Sequence, residues 1–379
     1  MKRVLLLSLL CFAIVSSAMA HVTRLPMTVV RTWLTVEVAI DGRNCRFLVD
    51  TGSPWTLLSA RTAAESGIVG YSSMEIGTYN GVRASMRMAV IGRMTIGDRE
   101  LAGHQVLVAD DTVLDCFDID GIIGGDILRR YVVRFSVRDG YMMLADRLPE
   151  VGEVERKHSV RMRLRNNKTY CARSYLSGIG KRHPVWLLFD TGAVGLSLAE
   201  WSRLCEKEAL ADLHVADGYD MSSGLLGNSG VPHTAQALAV APKVRFAGVD
   251  IFNMPVESGR KSVIGVALLQ WGDVVADYRG RRIYYVVDED PVSAGDGAVH
   301  AMNIRPAFDV ERGAVVGSVW DTGLTGSVRA GDRISHIDHT PTDSMTICDF
   351  YRMTFKPGET VLSVEANGTE THITMNIIE

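Results

Sequence analysis

The chain has 379 residues, of which 47% are hydrophobic and 22% charged, a balance that excludes a disordered or fibrous protein. Forty Lys plus Arg against 44 Asp plus Glu give a formal charge of −4, without the cationic surplus that a nucleic-acid binder needs. The length allows two or three domains, and 36 glycines with few aromatics suit a turn-rich β protein better than a helical bundle.

At the start of the chain, Lys2 and Arg3 precede an apolar run over residues 4–15, and Ala18-Met19-Ala20 places small residues where a signal peptidase reads. Residues 1–20 therefore read as a secretory signal with cleavage before His21. The run is too short to be a membrane anchor, and no second run of about 20 apolar residues follows it. Loss of Lys2 and Arg3 takes the formal charge from −4 to −6. Little chain separates Ala20 from the first expected strand near Val29, so activation is expected to need no long pro-segment. Five cysteines remain: Cys45, Cys116, Cys171, Cys205 and Cys348. The odd count and the lack of Cys-x-x-Cys spacing give no support to zinc or dithiol chemistry. An oxidising compartment would permit one or two disulfides, which the sequence does not assign, and buried free thiols are the simpler expectation.

The main signal is an internal repeat. Phe47-Leu48-Val49-Asp50-Thr51-Gly52-Ser53 recurs as Leu187-Leu188-Phe189-Asp190-Thr191-Gly192-Ala193. Each copy follows a hairpin pattern. In the first, residues 34–40 turn at Asp41-Gly42 into residues 45–49; in the second, residues 171–176 turn through 178–184 into residues 185–189. A helical pattern follows each copy, over 60–66 and 199–210. Downstream, Ile122-Ile123-Gly124 matches Val263-Ile264-Gly265, 74 residues after Asp50 and 75 after Asp190. A lone Asp-Thr-Gly is also an ordinary turn, but two copies with partners at matched distance are a specific pattern.

On these residues the chain, over about 30–288, resembles the pepsin-like aspartic proteases. The resemblance implies a mainly β, two-lobed acid-protease fold built by internal duplication. It also implies that each lobe gives one Asp-Thr-Gly loop to a shared cleft, backed by its apolar-apolar-Gly strand. Asp50 and Asp190 would then form the catalytic pair of an endopeptidase acting on protein or peptide substrates. Two carboxyls held close together cannot both ionise, so one activates water while the other, protonated, polarises the scissile carbonyl; aspartic proteases are a standard example of such a pair. Gly52 and Gly192 would let the loop backbone approach the carboxyls, and Thr51 and Thr191 would cross-link the loops. Ser53 is expected to donate its hydroxyl to Asp50, whereas Ala193 offers nothing to Asp190. Asp50 is therefore expected to be the ionised member, with an activity optimum less acidic than a gastric pepsin's. A hairpin flap is expected over 75–82, turning at Asn80-Gly81, with Tyr79 near its tip as a cap on the substrate or an ordinary exposed loop residue. No cofactor and no metal are expected.

Asp321-Thr322-Gly323 has no apolar-apolar-Gly partner and reads as a decoy. Its surroundings, Gly313-Ala314-Val315-Val316-Gly317-Ser318-Val319 and Ala330-Gly331-Asp332-Arg333-Ile334, resemble a PDZ domain of the circularly permuted bacterial type. A helical pattern over 344–355, a strand over 361–365 and an Asn367-Gly368 turn into 371–377 continue it. The resemblance implies peptide binding by strand addition, or docking alone. The corresponding loop, near 302–308, lacks the family's Gly-Leu-Gly-Phe pattern. The expected order is signal 1–20, lobe one 21–148, lobe two 149–290, an acidic linker over 288–297 and a PDZ-like β-rich domain over 298–379. Export with a permuted PDZ points to the periplasm or cell envelope of a Gram-negative bacterium.

Two other readings compete. Gly227-Asn228-Ser229-Gly230 resembles the nucleophile loop of PDZ-bearing serine proteases with Ser229 as nucleophile, but no His stands in the context a triad needs. A catalytically inactive, peptide-binding scaffold on the same fold is the other, although both aspartates and both threonines are in place.

Overall fold

The computed structural model describes residues 21–77, 83–109, 112–165, 169–178, 181–219, 233–295 and 301–378. Residues 1–20, the whole of the expected signal, lie outside them. The described chain is mainly β. Its first strand, Val22–Val30, starts earlier than the sequence suggested and serves two sheets: 22–26 pair antiparallel with Tyr141–Ala145, and 27–30 with Trp33–Ile40. Trp33–Ile40 and Arg43–Val49 form the expected hairpin around Asp41-Gly42. The end of Arg43–Val49 is an unbroken apolar run because it is covered on both faces: Phe47 and Val49 enter the large core, while Leu48 enters a second cluster with Leu57, Leu107 and Ile122. It also pairs in parallel with Gly121–Ile123, the strand that the downstream repeat marked.

The second half repeats this wiring element by element. Ser159–Arg165 divides between Arg282–Val287 and Thr169–Gly178 as the first strand did. Lys181–Phe189 pairs antiparallel with Thr169–Gly178 and in parallel with Val263–Ile264. The halves join through Val132–Ser136 against Gly272–Asp277, the centre of a six-stranded antiparallel sheet to which each half gives three strands. One large core runs through both halves, with the Phe135 and Phe189 rings 5.8 Å apart between centroids.

Two local expectations need correction. The second hairpin turn does not occupy 178–184: pairing continues to Gly178 opposite Lys181, so Pro184 sits inside a strand. Pro is tolerated there because the strand's other neighbour meets it only at 188–189, leaving an open edge at 184 that needs no donor. The helices are Ala60–Glu65, capped by the Ser59 hydroxyl, and Trp201–Glu206, shorter than the pattern over 199–210.

Residues 301–378 build a core of their own from Ile304, Val316, Ile334, Phe350, Leu362 and Val364. Strands Gly313–Val319, Arg333–Ile337, Val361–Ala366 and Thr369–Thr374 surround the helix Ile347–Arg352, whose start is a reciprocal cap between Thr346 and Asp349. The described part of the stretch expected as a linker is tied into the second half. Val292–Ser293 adds in parallel to Val249–Ser258, and Ala294 donates to the Phe252 carbonyl at 2.9 Å.

This C-terminal unit is fastened to both halves. Cys116 and Cys348 form a disulfide between the helices Thr112–Cys116 and Ile347–Arg352, one of the bridges that the sequence permitted without assigning, against the simpler expectation of free thiols. The Arg352 guanidinium adds a bond to the Cys116 carbonyl at 2.9 Å. On the other side Gly218 pairs with Ser318. A Cβ at Gly218 would stand 2.6 Å from the Ser318 Cβ, so only glycine permits this approach. Ala216, Val240, Ala301 and Trp320 close a small apolar cluster beside it. Cys45, Cys171 and Cys205 remain free thiols, and burial pushes the Cys45 thiol up to about 11. No helix among the described residues is long and apolar enough to cross a membrane.

Candidate active site

Each repeated aspartate ends a buried strand, and the apolar-apolar-Gly strand beside it sets its height. Asp50 donates its backbone N–H to the Ile123 carbonyl and Asp190 to the Ile264 carbonyl, both at 3.0 Å. The two loops then meet through their threonines. The Thr51 hydroxyl donates to the Phe189 carbonyl and the Thr191 hydroxyl to the Val49 carbonyl, both at 2.6 Å. Each hydroxyl oxygen also accepts the other threonine's backbone N–H at 3.0 Å. Thr51 and Thr191 are both buried, so four bonds in a dry setting hold the loops in one relative position.

This lock brings Asp50 and Asp190 together, each close enough to shift the other's ionisation. Gly52 and Gly192 are required by the closeness of the loops. A Cβ at Gly52 would collide with the Asp190 carboxyl, and one at Gly192 would stand 2.9 Å from the Asp50 carboxyl.

The donors to the two carboxyls are unequal. Asp50 Oδ1 accepts the backbone N–H groups of Gly52 at 2.8 Å and Ser53 at 2.9 Å. Asp190 Oδ1 accepts that of Gly192 at 2.9 Å, and the Ala193 N–H turns to the Asp190 carbonyl instead. The expected role of the Ser53 hydroxyl is wrong: it donates to the Trp55 carbonyl at 2.7 Å, because the loop turns it away from the pair. The asymmetry arises from backbone donors. Burial raises both carboxyls above the ordinary 3.8, and the charge on Asp50 pushes Asp190 further, well above that value. With two backbone donors against one, Asp50 is the readier of the two to ionise.

The folded pair binds more protons than the unfolded chain once pH exceeds the ordinary carboxylate value, so stability falls as pH rises from about 3.8 through the raised values. Asp190→Asn removes the cost of ionising that site while keeping a donor. Its melting temperature is expected to exceed the wild type's at pH 7 and to converge on it near pH 4. Thermal unfolding at both values checks this, and a difference that does not depend on pH would contradict it.

Of the other sequence candidates, Tyr79 lies outside the described residues. The hairpin that would carry it is present: Ser72–Gly77 pairs with Arg83–Ile96, with Gly77 opposite Arg83. Ser229 and its glycine-rich loop also lie outside, between the paired strands Ala211–Tyr219 and His233–Phe246. Asp321 belongs to the C-terminal unit, where its carboxylate accepts the Gly323 N–H in a local turn. Sequence reasoning missed the support beneath the first loop. Asp126 accepts the Thr56 hydroxyl at 2.7 Å and faces His104 Nε2 at 3.2 Å, while Thr56 accepts the Gly124 N–H. Although burial opposes its charge, the bonds from His104 and Thr56 hold Asp126 below the usual carboxylate range. The only available signal was an acid two residues after Gly124. Among the described residues no cluster of His, Cys, Asp and Glu could hold a metal ion.

Residues 36–127, which include Asp50 and the strand of Gly124, match a family model described as aspartyl protease. No curated protein matches the chain. The match supports a protease function of the aspartyl kind in general.

Proposed function

We propose that the protein is an exported aspartic endopeptidase of the pepsin-like, bilobal type, with a C-terminal PDZ-type unit. The observation that carries this reading is the reciprocal threonine bonding that sets the Asp50 and Asp190 loops of the duplicated halves face to face, each glycine against the other loop's carboxyl. Ionised Asp50 takes a proton from a water as the water oxygen attacks the scissile carbonyl carbon. Asp190 gives its proton to the carbonyl oxygen, and a tetrahedral diol forms. Asp50 then passes its proton to the amide nitrogen, Asp190 recovers one from a diol hydroxyl, and the C–N bond breaks to give an acid and an amine. Preorganised N–H groups from Gly52, Ser53 and Gly192 hold both carboxyls through these changes.

For the C-terminal unit, docking is favoured over capture of a peptide carboxyl terminus. The segment near 302–308 is a strand, Ile304–Asp309, rather than an open loop. The Asn303 N–H is used by the Asn376 carbonyl and the Ile304 N–H by the Asn303 side chain, so neither donor is free for a carboxylate. The disulfide supports export, since such bonds persist in oxidising compartments. Digestion of a peptide library, with and without a pepstatin-type inhibitor, tests the function. Cleavage that the inhibitor suppresses is expected; peptide binding with no cleavage would favour a scaffold instead.

A further inference from the structure

Strand Lys181–Phe189 carries Asp190 at its end and has two faces. Val185, Leu187 and Phe189 enter the large core. Trp186 and Leu188 lie on the other side, in a small cluster with Cys171, Val263 and Ala193, the last of which follows Gly192 in the active loop. In the first half the matching face is thickly covered, with Leu48 beneath Met86, Leu107 and Leu114. In the second half it is covered by cations. The Arg163 and Arg165 guanidinium groups lie 5.5 and 5.2 Å from the Trp186 ring centroid, and that of Arg173 lies 5.6 Å from the Tyr175 ring.

The register puts these groups on one face. Arg163 stands opposite Cys171, and Arg173 stands opposite Trp186. Arg163, Arg165 and Arg173 are exposed, and among the described residues no carboxylate forms an ion pair with any of them. General basicity does not explain the patch, because the whole chain carries a net negative charge. The charges of Arg165 and Lys261 favour the ionised form of Cys171, which shares the small cluster with Ala193, and the charge of Lys261 favours ionised Asp50 and Asp190 as well. Trp186 stands four residue steps before Asp190, or about 13 Å at roughly 3.3 Å per step, the span of about four residues of an extended peptide.

We propose that this face is a substrate subsite for acidic side chains, so that the protein prefers peptides with Asp or Glu within about four residues of the scissile bond, on the side lying over the second half. The inference rests on the endopeptidase reading above. A peptide is favoured over an anionic lipid surface because the patch is continuous with the active loop through Trp186, Leu188 and Ala193.

The test uses three peptides of one parent sequence: neutral, acidic on one side of the scissile bond, and acidic on the other. For wild type, kcat/KM for one acidic peptide is expected to exceed that for the neutral peptide by about 10-fold, through KM, and the ratio to shrink in high salt. In Arg163→Gln/Arg165→Gln that ratio is expected to fall to about one, and Arg163→Lys/Arg165→Lys to retain part of it. A wild-type ratio near one with the neutral peptide cleaved overturns the inference alone, as does a ratio that survives the Gln variant. No cleavage of any peptide overturns the endopeptidase reading and the inference with it. A ratio near one with phosphatidylglycerol vesicles bound by wild type and not by the Gln variant would make the face a membrane contact instead.

Discussion

Asp50→Asn and Asp190→Asn are each expected to lower kcat by about 10³-fold or more while leaving the fold intact. In the first variant the amide oxygen still accepts the N–H groups of Gly52 and Ser53, so the loop keeps its shape, but no group remains to take the proton from water. In the second the amide oxygen still accepts the Gly192 N–H, but the amide neither protonates the carbonyl oxygen nor recovers a proton from the diol. The double variant should be little worse than either single one, because the two carboxyls act as one proton-sharing unit. Single-turnover rates on a peptide chosen from the library, with circular dichroism as the folding control, measure this. Unchanged cleavage in both single variants would refute the dyad and reopen the reading that uses Ser229.

Loss of the Cys116–Cys348 bridge is the second large effect. Its partners are 232 residues apart, and closing a loop of that size in the unfolded chain stabilises a fold by about 2–5 kcal/mol. Cys116→Ser, Cys348→Ser and the double variant are expected to lose the same amount, since a bridge is lost only once. The loss should fall first on the C-terminal unit. The ties that remain among the described residues include the Arg352 bond to the Cys116 carbonyl, the Gly218–Ser318 pairing and the cluster around Trp320. Denaturant unfolding, with hydrogen exchange read at residues 301–378, checks both points. Equal stability with and without a reductant would contradict the structural role given to the bridge.

What was legible in the sequence was local or repeated. Asp50-Thr51-Gly52 and its copy at Asp190 are short, so their chemistry is written in adjacent residues. The matched offsets to Gly124 and Gly265 then exposed the parallel strands behind them. The Asp41-Gly42 turn was legible for the same reason, and the helical pattern over 344–355 marked the helix that the structure places at Ile347–Arg352. What was hidden depends on where distant segments land. Nothing near Cys116 names Cys348, and nothing near Gly218 says that Ser318 will press against it. The Ser53 hydroxyl was misassigned because residue type fixes what a side chain can donate, while the loop's path decides to whom. The three-strand basic face was spread over Arg163, Arg165, Arg173 and Trp186, which become neighbours only once the register is set.

The most direct test of the central claim, a carboxyl pair sharing one proton with Asp50 ionised, is the pH dependence of kcat/KM. Burial raises both groups above 3.8, and Asp190 is raised further by its neighbour's charge. The profile should therefore be bell-shaped, with both limbs above 3.8, and its two apparent values belong to the pair. Activity should rise as the pair loses its first proton and fall as it loses its second. A maximum near pH 2, or a single limb with no fall on the alkaline side, would contradict the account.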